Sequence, residues 1–115
     1  MTGPLILRIA GDAANLATAR SFAGSIGRVL GLDDGHRHDL RLGVSELATM
    51  AITSGSKELT FEVDFDGQTP VLRMNIDNSP SVPPYLTELL GALFHESWWS
   101  AAEPWAIRLV VDGPP

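Results

Sequence analysis

The residues of this chain that carry reactive chemistry are few and widely spaced. His36 and His38 stand two apart, which on a helix puts them on different faces, so they read as a solvated helix start rather than a metal pair. His95-Glu96 reads as surface. Serines, histidines and aspartates are present, yet no G-x-S-x-G elbow surrounds any serine. Gly91 stands alone, far from a G-x-x-x-x-G-K phosphate loop. Without cysteine there is no thiolate nucleophile, cysteine zinc site or disulfide framework. Two segments remain. The string LRLGVSELATMAITSG places Glu46 and Met50 one turn apart on one helix face, and IDNSPS places Asp77, Ser79 and Ser81 where a strand gives way to a turn. By residue type alone, Glu46 suits a solvated helix carboxylate and Met50 a core or pocket-lining apolar residue, with residues 77–80 an ordinary turn. A third group is aromatic: Tyr85 at the start of a predicted helix and Phe94, Trp98 and Trp99 toward its end. Adjacent tryptophans point in different directions, which leaves one as an anchor of the kind enriched at interface hot spots. The alternative is that both pack against Trp105 beneath the terminal segment.

The elements that must position these residues are read from periodicity. Leu5, Leu7 and Ile9 alternate with Ile6 and Arg8, the pattern of a strand with one buried face. After Asp12, a predicted N-cap, Leu16, Ala19, Ala23, Ile26 and Leu30 recur at helical spacing up to Gly31. Asp33, Asp34 and Gly35 turn and cap the chain, and Leu40, Val44, Leu47, Ala48, Ala51 and Ile52 mark one face of a second helix that ends at Ser54-Gly55-Ser56. Leu59, Phe61, Val63 and Phe65 then alternate with Thr60, Glu62 and Asp64, and past the Asp66-Gly67 turn Leu72, Met74 and Ile76 do the same, predicting a β-hairpin. Residues 78–84, with three prolines, form a loop. Leu86, Leu89, Leu90, Leu93 and Phe94 predict a third helix over 85–98 before a break at 101–104. Trp105, Ile107, Leu109 and Val111 close the chain as a last strand. The order β-α-α-β-β-α-β predicts an α/β (α+β) two-layer sandwich, with three helices on one face of a mixed, largely antiparallel four-stranded sheet.

A chain of 115 residues with 44% hydrophobic and 19% charged residues fits one domain over 1–115 with a single core. The formal charge of -6, a pI near 4.8 and only eight cations argue against a phosphate-backbone footprint and hence against nucleic acid as a partner. Seven of those cations are arginine and the eighth is Lys57, a bias given no functional weight at this level. The amino terminus lacks a basic segment followed by a long apolar one, and no run approaches membrane-spanning length. The expectation is a soluble cytoplasmic protein.

The helix-two string, preceded by a strand and a long helix and followed by a hairpin ending in IDNSP, resembles the GHKL (histidine-kinase-like ATPase) superfamily. More narrowly it is similar to the bacterial serine kinases that act as anti-sigma factors. The resemblance implies a Bergerat-like fold over nearly the whole chain. In that family a helix-two glutamate, matched by Glu46, positions or activates the attacking hydroxyl, and an asparagine four residues on coordinates magnesium. That position holds Met50, whose soft thioether is a poor ligand for a hard, oxygen-seeking ion. The family's Asp-x-Gly-x-Gly, in which the aspartate accepts from adenine, is matched by Asp77, but its glycines are replaced by Ser79 and Ser81 around Pro80. The backbone there loses both its freedom at positive φ and an amide donor. No glycine occurs from residue 78 to 90, so the glycine-rich ATP lid is missing too.

Loss of metal ligand, glycines and lid together points to a pseudokinase with a vestigial pocket of Glu46, Met50, Asp77, Ser79 and Ser81, without cofactor, metal or catalytic residue. Such a domain would regulate transcription through protein–protein interaction with a sigma factor or a STAS-type antagonist, using Tyr85, Phe94, Trp98 and Trp99 as a partner surface. No nucleic acid or membrane contact is expected, and the resemblance is compatible with a homodimer. Two competing readings are an active ATP-dependent protein serine kinase working through Glu46 and Asp77, and a structural or homo-oligomerisation module.

Overall fold

A computed structural model describes residues 4–67, 69–78, 80–94, 96–100 and 105–110, with side chains for 4–65, 67, 69–78 and 80–94. Strand β1 (Leu5–Ala10) leads through a 3-10 turn (Ala13–Asn15) into α1 (Leu16–Val29) and α2 (Asp34–Thr53). The hairpin β2 (Glu58–Asp66) and β3 (Thr69–Ile76) follows, then α3 (Pro84–Leu93), β4 (Glu96–Ser100) and β5 (Trp105–Val110).

Both long helices stop where the sequence placed glycine. At Gly31 (φ 70°) and Gly55 (φ 90°) the chain enters the left-handed region, which glycine reaches without the Cβ clash other residues incur. Leu32 N–H then donates to Gly27 C=O at 3.0 Å and Gly31 N–H to Arg28 C=O at 3.1 Å. Ser56 N–H donates to Ala51 C=O at 3.0 Å and Gly55 N–H to Ile52 C=O at 3.1 Å. These paired bonds satisfy carbonyls that a helix end leaves free. At the other end of α2, Asp33 accepts from the His36 backbone N–H at 2.8 Å and thereby caps the first turn. That amide, reinforced by the His36 ring, holds the Asp33 carboxyl below its ordinary value.

One face of the sheet meets the helices. On the paired positions Leu59–Ile76, Phe61–Met74 and Val63–Leu72 every side chain is buried, against Ala19, Ala23 and Ile26 of α1, Leu40, Val44, Leu47 and Ala51 of α2, and Leu86 and Leu90 of α3. The opposite face is polar: Arg8 pairs with Glu58 and Arg73 with Glu62, both at 3.6 Å. A one-sided pattern of this kind is what an antiparallel sheet with one solvated face demands.

The expected four-stranded, partly mixed sheet in the order β-α-α-β-β-α-β does not hold. The chain runs β-α-α-β-β-α-β-β, as a small α+β domain. The antiparallel sheet β1-β2-β3 is extended by β5 and β4 in the order β1-β2-β3-β5-β4, and all four pairings are antiparallel. The error lies in the third helix. It ends at Leu93, with Phe94 already extended (φ -123°, ψ 148°), and the aromatic segment expected to continue it forms β4 instead. Helical spacing had reached only Phe94, whereas Trp98 and Trp99 favour a pleated surface and β5 would otherwise present a bare edge. Among the described residues no helix is long and apolar enough to cross a membrane.

Candidate functional site

Glu46 and Met50 fall, as expected, one turn apart on α2. Their surroundings differ. Met50 is 7% exposed and belongs to the core; Glu46 is half-buried and makes no hydrogen bond or ion pair among the described residues. Helix α3 packs against α2, with Leu86 and Leu90 fully buried. Where it ends, Phe94 sits on Gly43: a Cβ built there would meet ring atoms Cε2 and Cζ at 2.5 Å and Leu90 Cδ2 at 3.8 Å. Gly43 is one turn before Leu47. An α2 face that would have to admit a nucleotide is thus part of the same apolar cluster as α3.

Asp77 is not part of that cluster. Its Oδ1 accepts from the Lys57 backbone N–H at 2.9 Å. It borders a shallow depression of about 180 Å³ shared with Glu58, Thr60, Asn75 and Ile76. Thr60 and Asn75 pair across the strands on the polar face, so the carboxylate is turned away from the helix layer that holds Met50. Asn78 completes the joint: its Oδ1 accepts from Ser56 Oγ, and its Nδ2 donates to Ser54 C=O at 3.0 Å. Ser81 is exposed, and Ser79 lies outside the described residues. Of the aromatic set, Tyr85 is 58% exposed while Phe94, expected at a partner surface, is 5% exposed and packed in the core. The side chains of Trp98 and Trp99 lie outside the described ones. Among the described residues no group of three or more His, Asp or Glu side chains is placed to hold a metal ion.

A different constellation appears on the outer side of α1 and α2. Three adjoining depressions, of about 380, 240 and 250 Å³, follow the seam between the two helices. Arg20, Arg28, Arg37 and Arg41 line them, with His38 beside. Half of the eight cations in the sequence therefore meet in one groove. Gly24 lies in its floor, where a Cβ would make only ordinary contacts with the Arg41 stem at 3.8 Å and Arg28 at 4.0 Å. Arg20 Nε donates to Ser45 Oγ at 3.1 Å and Arg28 to Ser25 Oγ at 3.3 Å, partners that orient a guanidinium without neutralising it. Of these four, Arg37 alone pairs with a carboxylate among the described residues, that of Asp34. The cluster does not stand out in the sequence. The signal was present in the spacing of Arg20 and Arg28, two turns apart, and of Arg37 and Arg41, one turn apart, but only antiparallel packing of the helices merges the two rows.

No family model matches this chain, and no curated protein sequence matches it at a significant level.

Proposed function

We propose that this chain is a non-catalytic regulatory domain that works by binding another protein, similar to an anti-sigma-factor kinase that has lost nucleotide and magnesium handling. The observation that carries this reading is the closure of α2 by α3: Met50 is buried among apolar side chains and Phe94 presses on Gly43. A triphosphate with its cation needs backbone amides, cationic side chains and oxygen ligands around it, and among the described residues the Met50 face of α2 offers the Glu46 carboxylate beside apolar core side chains. Asp77 adds support, because its carboxylate is engaged by the Lys57 amide on the polar face of the sheet. The proposed partner is a sigma factor or a STAS-type antagonist, and this assignment rests on the helix-two resemblance.

Calorimetric titration with Mg-ATP and Mg-ADP tests the first half. No heat of binding is expected; affinity in the micromolar range would overturn the reading in favour of an active kinase. Affinity capture from the native cell, identified by mass spectrometry, tests the second. Recovery of a sigma factor or STAS protein supports it, and recovery of the chain alone, with self-association in sedimentation, favours an oligomerisation module.

A further inference from the structure

We infer that the arginine groove between α1 and α2 is a docking site for an acidic helical segment of a protein partner. The inference deepens the protein-binding reading above and rests on it for the partner's class.

Charge placement is the first ground. The chain has 14 Asp and Glu against eight Lys and Arg, yet Arg20, Arg28 and Arg41 lie in one groove with no carboxylate partner among the described residues. All three are exposed, so nothing in the fold requires like charges to be collected there. Guanidinium groups bind carboxylates in a planar, two-pronged geometry and are weakly hydrated, which suits them to pair with an incoming acid. The Ser45 and Ser25 hydroxyls hold two of them while leaving donors free.

Spacing is the second ground. Arg20 and Arg28 are about 12 Å apart along α1, and Arg37 and Arg41 about 6 Å apart along α2. A helix bearing acids every fourth residue repeats at about 6 Å along its axis. Such a segment laid along the seam meets successive guanidiniums in register. A single phosphate would engage one point of a groove that three depressions extend. A long nucleic acid would run past the groove onto a surface that is net negative, where repulsion opposes it. A short acidic segment avoids that penalty.

The test uses the full chain and a fluorescein-labelled helical peptide with glutamate at every fourth position, read by anisotropy. Wild type is expected to bind at low salt and to weaken as salt rises. The double variant Arg28→Glu/Arg41→Glu is expected to lose about tenfold or more in affinity and to gain affinity for the same peptide with lysines replacing the glutamates. Both positions are exposed, so circular dichroism should be unchanged; should the double variant misfold, Arg28→Gln and Arg41→Gln singly carry the same test. Equal binding by wild type and variants overturns the inference. So does tighter binding of a single-stranded oligonucleotide of matched charge, or competition by inorganic phosphate at equal carboxylate-equivalent concentration. The Mg-ATP titration keeps the two readings separable: nucleotide binding alongside peptide binding removes the non-catalytic reading and leaves the groove, whereas neither binding removes the groove alone.

Discussion

Met50 in the core and Asp33 at the helix cap each hold a structural role at the level of single side chains. Asparagine at position 50 would supply the magnesium-ligand type that the proposed kinase resemblance calls for, but the site is 7% exposed and belongs to the apolar cluster. Met50→Asn should therefore leave Mg-ATP titrations flat and lower the unfolding free energy by about 1–3 kcal/mol, the usual penalty of a buried polar group without partners. Chemical denaturation checks the second outcome and calorimetry the first. Asp33 makes a pH-dependent prediction. Its carboxyl is held below the ordinary value of 3.8, chiefly by the His36 backbone amide, so the carboxylate stabilises the folded state above that value. The contribution fades as pH falls through the lower folded value. Asp33→Ala should melt earlier than wild type at neutral pH, and the gap should narrow only below about pH 4. A gap constant from neutral pH to pH 2 would show that the cap does not depend on charge.

The contact between α3 and α2 decides whether a cavity exists, and it turns on Gly43 and Phe94. Gly43→Ala would bring a methyl within 2.5 Å of the Phe94 ring, an overpacking expected to destabilise by about 1–3 kcal/mol. Phe94→Leu shortens the side chain that obstructs it, so the double variant should be less destabilised than the sum of the singles. Additive losses in a denaturation cycle would show that the two residues do not meet. Much at this scale was legible: period-two alternation located the hairpin, and apolar spacing located α1, α2 and the start of α3. The strand β4 was not, because Glu96–Ser100 is too short for a periodic signal and its identity depends on β5, a partner later in the chain. The burial of Phe94 is not legible in the sequence for a related reason. Its burial comes from the missing side chain at Gly43, and a glycine within a helix announces no partner.

Across the whole molecule, remote segments are joined at places no local pattern marks. The arginine groove is one, since each helix alone shows only two dispersed cations. The joint below α2 is another. Lys57 donates its backbone N–H to Asp77 Oδ1 and accepts from Gly11 N–H, each at 2.9 Å, while Asn78 holds Ser54 and Ser56. The end of α2 and three strands are thereby clasped at one point, through Asp77 and Asn78, whose residue types by themselves suit an ordinary turn. Asn78→Ala removes a donor and an acceptor together and strands the hydroxyl of Ser56, which is 2% exposed. A loss of about 1–3 kcal/mol is expected, lowering the melting temperature by several degrees for a domain of this size. Because the clasp joins the helix layer to the sheet, far-UV circular dichroism and tryptophan fluorescence from Trp98, Trp99 and Trp105 should shift together, as they do when a domain unfolds as one unit. Asp77→Asn keeps a carbonyl oxygen to accept from Lys57 and should shift both probes much less. If instead fluorescence melts well before circular dichroism in Asn78→Ala, the strands carrying the tryptophans unfold on their own, and the clasp does not bind the two layers into a single cooperative domain.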